Sequence, residues 1–94
     1  MKVYVLMQWD FDWERDHLVE VFKTRKKAME EARLLAEYKI QNRTDKKIVD
    51  GFDFNEKKIG YIVQAFDECA NEDGINPWEN EWMFYVVEKE VLKD

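Results

Sequence analysis

Serine is absent from these 94 residues, and histidine, cysteine and proline occur once each, as His17, Cys69 and Pro77. A hydrolytic nucleophile needs a base beside it, so a chain with no serine, one His and one Cys has few parts for such a pair. The glycines are Gly51, Gly60 and Gly74, too scattered for a loop that cradles phosphate. A single cysteine permits no internal disulfide and no thiolate metal cluster within one chain, which suits a reducing compartment. No apolar run near the ~20 residues of a membrane span occurs. The first residues already alternate like a strand and lack the apolar core of a signal peptide. The expectation is a cytoplasmic protein, not an enzyme, with no cofactor, no bound metal and no membrane partner.

Hydrophobic residues are plentiful at 46%, and aromatics make up 15%. One domain spanning residues 1–94 can build a core from these without staples, although it lies near the small end of what folds alone. The net charge is −6 and unevenly spread. Residues 24–48 hold eight bases against four acids, whereas residues 67–81 hold six acids and no base. The acidic balance argues against nucleic acid as a partner, because phosphate neutralisation supplies most nonspecific affinity of that kind.

Val3, Val5, Met7 and Trp9 alternate with Lys2, Tyr4, Leu6 and Gln8, the period of a strand. His17 to Lys23 reads as a second strand, joined to the first by a projecting loop over Asp10 to Asp16. Thr24 suits a helix N-cap. Ala28, Ala32, Leu35 and Ala36 then form a stripe at helical spacing, widened by Met29 and Leu34, that ends near Gln41 or Asn42. Residues 43–53 read as a polar linker, with its one apolar pair, Ile48 and Val49, as a candidate short extended segment before Asp50-Gly51 turns the chain. A second helix is expected next. Asp53 to Glu56 has approximate capping-box spacing, and Ile59, Ile62, Val63, Phe66, Cys69 and Ala70 step by three and four. Asp73-Gly74-Ile75 suits a Schellman stop, with Pro77 blocking continuation. Trp82 to Leu92 closes the chain as a third strand. The predicted architecture is α+β, ββααβ in topology: a small antiparallel three-stranded sheet in order 2-1-3 with two helices on one face.

Lys2-Val3-Tyr4-Val5-Leu6, Val19 to Phe22 running into Thr24 to Ala32, and Tyr85 to Glu90 together cover under half the chain. In these stretches the sequence resembles short uncharacterised bacterial and phage proteins that open on Lys-Val-Tyr-Val-Leu and close on Tyr-x-Val-x-Glu. Such proteins have no agreed activity. The resemblance implies a fold and a bacterial or phage origin, and no mechanism.

Three features compete for a function. Asp10, Asp12, Glu14 and Asp16 recur at every second position, like the start of a calcium loop. Such a loop needs Gly at its sixth position and Glu at its twelfth, and this chain has Arg15 and Val21 there. His17 starts a strand, and Cys69 falls on the predicted apolar stripe; both read as structural. The third feature is a pair of aromatic, acidic segments, Trp9 to Glu14 and Trp78 to Trp82. Tryptophan is enriched in interaction hot spots. The residues assigned to partner contact are Trp9, Asp10, Phe11, Asp12, Trp13, Glu14, Trp78 and Glu81, against the plainer reading that they cover the core and the sheet ends. The expected function is a non-enzymatic protein–protein interaction module, acting on an unidentified protein or as a homodimer. The alternatives are a small-ligand-binding domain and an inhibitor whose carboxylates mimic DNA phosphates.

Overall fold

A computed structural model describes residues 1–52, 57–69 and 76–92. The elements in chain order are β1 (Lys2–Asp10), β2 (Arg15–Phe22), α1 (Arg25–Ile40), β3 (Lys46–Phe52), β4 (Ile59–Phe66) and β5 (Trp78–Glu90). All neighbouring strands pair antiparallel in one five-stranded sheet of order β2-β1-β5-β4-β3. The expected three-stranded sheet with two helices is therefore wrong. Among the described residues one long helix packs on the sheet, and β5 rather than β1 occupies the centre.

The expected second helix fails first. Ile59 to Phe66 is β4, hydrogen-bonded between β3 and β5. β4 is apolar at every position but Gly60 and Gln64, so steps of three and four arise in it by default. Ile59, Tyr61, Ile62 and Val63 are β-branched or aromatic, the side chains that fit a pleated surface. Cys69 lies beyond the strand and is exposed, not on a buried stripe. The expected cap over 53–56 and stop over 73–75 lie outside the described residues. The linker reading of 43–53 fails too, because Lys46 to Phe52 pairs with β4 along its whole length.

α1 starts where Thr24 accepts from the Lys27 N–H at 3.2 Å and ends on Gln41, which takes left-handed φ/ψ. Ala28, Ala32 and Ala36 are fully buried on its inner stripe, while Leu34 faces solvent. Small side chains let the helix axis lie close to the sheet. There it covers Leu6, Val63, Phe84 and Val86, with Tyr4, Phe22, Ile48, Tyr61 and Trp82 packed around them. Strand alternation then sends Val5, Met7, Trp9, Ile62, Met83 and Tyr85 to the opposite face. Gly60 stands opposite Tyr85 on that face. A Cβ there would collide with the carbonyl oxygen of Phe84 and lie 2.5 Å from the Tyr85 Cα, so β4 and β5 approach as closely as they do only because residue 60 is glycine.

Two bulges shape the strands. Val19 is skipped in the β1–β2 register, where Leu6 faces Glu20 and Met7 faces Leu18. Glu81 is skipped in the β4–β5 register, where Val63 faces Trp82 and Gln64 faces Asn80. No described helix is long and apolar enough to cross a membrane.

Candidate partner-binding site

β1 runs into a four-residue turn before β2, and this hairpin tip lies at the same end of the sheet as the start of β5. Asp10 stands opposite Trp82, and the Phe11 N–H donates to the Glu81 carbonyl at 3.2 Å. The tip is held from within. Asp10 is 9% exposed, and its Oδ1 accepts from the Asp12 N–H at 2.9 Å and the Trp13 N–H at 3.3 Å. Glu14 takes φ 50°, the left-handed conformation that lets the chain turn back into β2. Asp10 is thus a buried turn-former whose oxygen is spent on backbone donors.

Trp13 stands at the apex, 74% exposed, between the exposed carboxylates Asp12 and Glu14. Trp9 and Phe11 are different. Both are half-buried and meet edge to face at 6.4 Å, on the sheet face that α1 does not cover.

The second aromatic segment is packed. Trp78 meets Phe66 at 5.3 Å between ring centroids, and Lys47 Nζ lies 4.3 Å above its ring. Trp82 is half-buried against the core with Lys39 Nζ 4.2 Å from its ring centre. Glu81, lifted out of register by the bulge, accepts from Lys46 Nζ at 2.6 Å in a pair whose side chains are 17% and 25% exposed. The structure gathers all eight assigned residues at one end of the sheet. It leaves Asp12, Trp13 and Glu14 exposed and ties Asp10, Trp78 and Glu81 into the fold.

The helix-free face holds a feature that composition did not mark. A depression of about 330 Å³ is lined by Trp9, Phe11, Asp16, Phe52, Lys58, Ile62, Asn80, Met83 and Tyr85. Tyr85 lies at its floor, 3% exposed. Its hydroxyl donates to Asp16 Oδ1 at 2.5 Å, and Lys58 Nζ lies 5.1 Å over its ring. Burial, and then the Asp16 carboxylate, push the Tyr85 pKa well above that of an ordinary tyrosine. Tyr85 and Asp16 are 69 positions apart, so only knowledge of the strand order could have joined them. Among the described residues no group of three or more His, Cys, Asp or Glu is placed to hold a metal ion.

No family model, curated protein or solved structure matches this chain.

Proposed function

We propose that the protein is a non-enzymatic interaction module that engages a protein partner with the tip of its β1–β2 hairpin. The carrying observation is Trp13, 74% exposed on a turn held by two hydrogen bonds to Asp10. An exposed Trp on a pre-ordered backbone supplies a large anchor with little conformational entropy left to lose on binding. Asp12 and Glu14 flank it, so the fitting partner offers an apolar socket rimmed by basic side chains, and complementary charge would speed encounter at low salt. Bacterial or phage origin and a cytoplasmic setting belong to the same proposal. A pull-down from host lysate, wild type against Trp13→Ala, tests it. The proposal expects at least one protein retained by wild type and lost with the variant, and identical partner lists would sink it.

A small-ligand role is the second reading, favoured by the depression over Tyr85. Its volume of about 330 Å³ lies at the lower end of ordinary ligand pockets. Chemical-shift changes confined to Trp9, Phe11 and Tyr85 in a small-molecule screen would support this reading over the first.

A further inference from the structure

The two edges of the sheet are unlike. β3 carries Lys46 and Lys47 at its start, and most of its side chains are half-buried. Lysines on an edge are a standard guard against unwanted strand pairing. β2 has no lysine or proline within it, and its residues from Arg15 to Val21 are all exposed. Among them are three apolar side chains, Leu18, Val19 and Val21, at 62%, 40% and 50% exposure. We infer that β2 is the interface of a homodimer, pairing antiparallel with β2 of a second copy to extend the sheet across a two-fold axis.

The bulge at Val19 selects the register. In a regular strand, antiparallel partners on one face have numbers of equal parity. The bulge reverses parity beyond it, so Asp16 and Leu18 share the helix-free face with Val21. Self-pairing across the bulge must therefore join an even residue to an odd one. Setting Leu18 opposite Val21 of the second copy also sets His17 opposite Phe22 and the bulged Val19 opposite Glu20. Leu18 then meets Val21, and His17 meets Phe22, each on its own face, and the symmetry repeats both contacts, giving two Leu18–Val21 pairs. Shifting by two residues places Leu18 opposite the bulge in one direction, and opposite Lys23 in the other. A shift by one puts partners on opposite faces. The interface lies along the strand, apart from the Trp13 apex.

Light scattering after size exclusion, across a concentration series, reads the oligomeric state. Wild type is expected to pass from monomer to dimer as concentration rises. Leu18→Lys is expected to lose the dimer while keeping its circular dichroism spectrum, since Leu18 has little burial to give up. Trp13→Ala is expected to dimerise like wild type, so failure here is separable from failure at the hairpin tip. For the register, Leu18→Cys and Val21→Cys are made separately in a Cys69→Ser background and oxidised alone and mixed. A covalent dimer in the mixture and in neither variant alone supports the pairing. A wild type that stays monomeric throughout, a dimer unaffected by Leu18→Lys, or cross-linking no better in the mixture than in single variants overturns it.

Discussion

The hydroxyl of Tyr85 in the central strand donates to Asp16 in the edge strand at 2.5 Å, reaching over β1, which lies between them. Three strands are thereby fastened on the face that α1 leaves open. The tyrosine is nearly out of solvent, and Lys58 stands over its ring. This bond links the hairpin that carries Trp13 to the middle of the sheet.

Stability should fall with rising pH in the alkaline range through this one group. Burial and the Asp16 carboxylate raise the Tyr85 pKa in the folded state above the ordinary value of 10.0. The folded protein therefore holds this proton more tightly than the unfolded chain does. The resulting stability is fully present below pH 10 and is lost as pH climbs from there through the raised value. Spectrophotometric titration should find one of the four tyrosines ionising last. Tyr85→Phe should remove that late step and cost about 0.5–1.5 kcal/mol at neutral pH. An unchanged titration curve in the variant would contradict the assignment.

Gly60→Ala should be the most damaging single-methyl addition in the sheet. The new Cβ meets backbone, the Phe84 carbonyl and the Tyr85 Cα, which cannot move without parting β4 from β5. A loss of about 3 kcal/mol or more is expected, at or beyond the usual range for overpacking. Gly51→Ala is the control. Its Cβ meets Ile62 Cγ1 at 2.6 Å and Met83 Cε at 3.1 Å, side chains rather than backbone; Ile62 must leave its rotamer but no strand need part, so the loss should be about 1–3 kcal/mol and smaller than at Gly60. Equal denaturation midpoints for the two variants would show that backbone contact is not what matters at Gly60.

The same glycine explains part of what the sequence concealed. Within a helix, Gly60 is a minor defect; between β4 and β5 it is a requirement. The reading as helix rested on Ile59, Ile62, Val63 and Phe66, a pattern that a strand apolar along most of its length imitates. β3 was missed because Lys46, Lys47 and Asp50 give it the composition of a loop, although Ile48 and Val49 already alternate across it. β1, α1 and β5 were legible because each shows a clean period and, for α1, a clear cap at Thr24. At the site, the aromatic and acidic content of the two segments was legible, but the division of labour was not. Which Trp is exposed and which is packed depends on the turn that Asp10 holds and on the bulge at Glu81, and composition does not encode those.

Asp10→Ala and Trp13→Ala should separate the architecture of the tip from its contact surface. Removing the Asp10 carboxylate leaves the N–H groups of Asp12 and Trp13 without their acceptor. Destabilisation of about 1–3 kcal/mol is expected. Trp13→Ala strips a side chain that packs little, so its midpoint should stay within about 0.5 kcal/mol of wild type, while a red-shifted part of the tryptophan emission disappears. A large loss of stability from Trp13→Ala would mean that the ring is holding the fold rather than awaiting a partner.

Glu81 offers the converse test, a carboxylate in the acidic segment whose work is structural. It accepts from Lys46 at 2.6 Å with both side chains mostly out of solvent, and so joins β5 to β3 across β4. Glu81→Gln keeps the shape and removes the charge, leaving the Lys46 ammonium half-buried beside a weaker acceptor. A loss of about 1.5–3 kcal/mol is expected, the scale of a hydrogen bond to a charged group. Added salt should rescue little of it, because partly buried pairs are poorly screened. Lys46→Met combined with Glu81→Leu should recover part of the loss, since no lone charge then remains in the interior. Partner capture by Glu81→Gln should match wild type at temperatures where both are folded, while Asp12→Asn with Glu14→Gln weakens capture without lowering the melting midpoint. The reverse pattern, with Glu81 governing capture and the tip carboxylates governing stability, would move the contact surface from the hairpin apex to the start of β5.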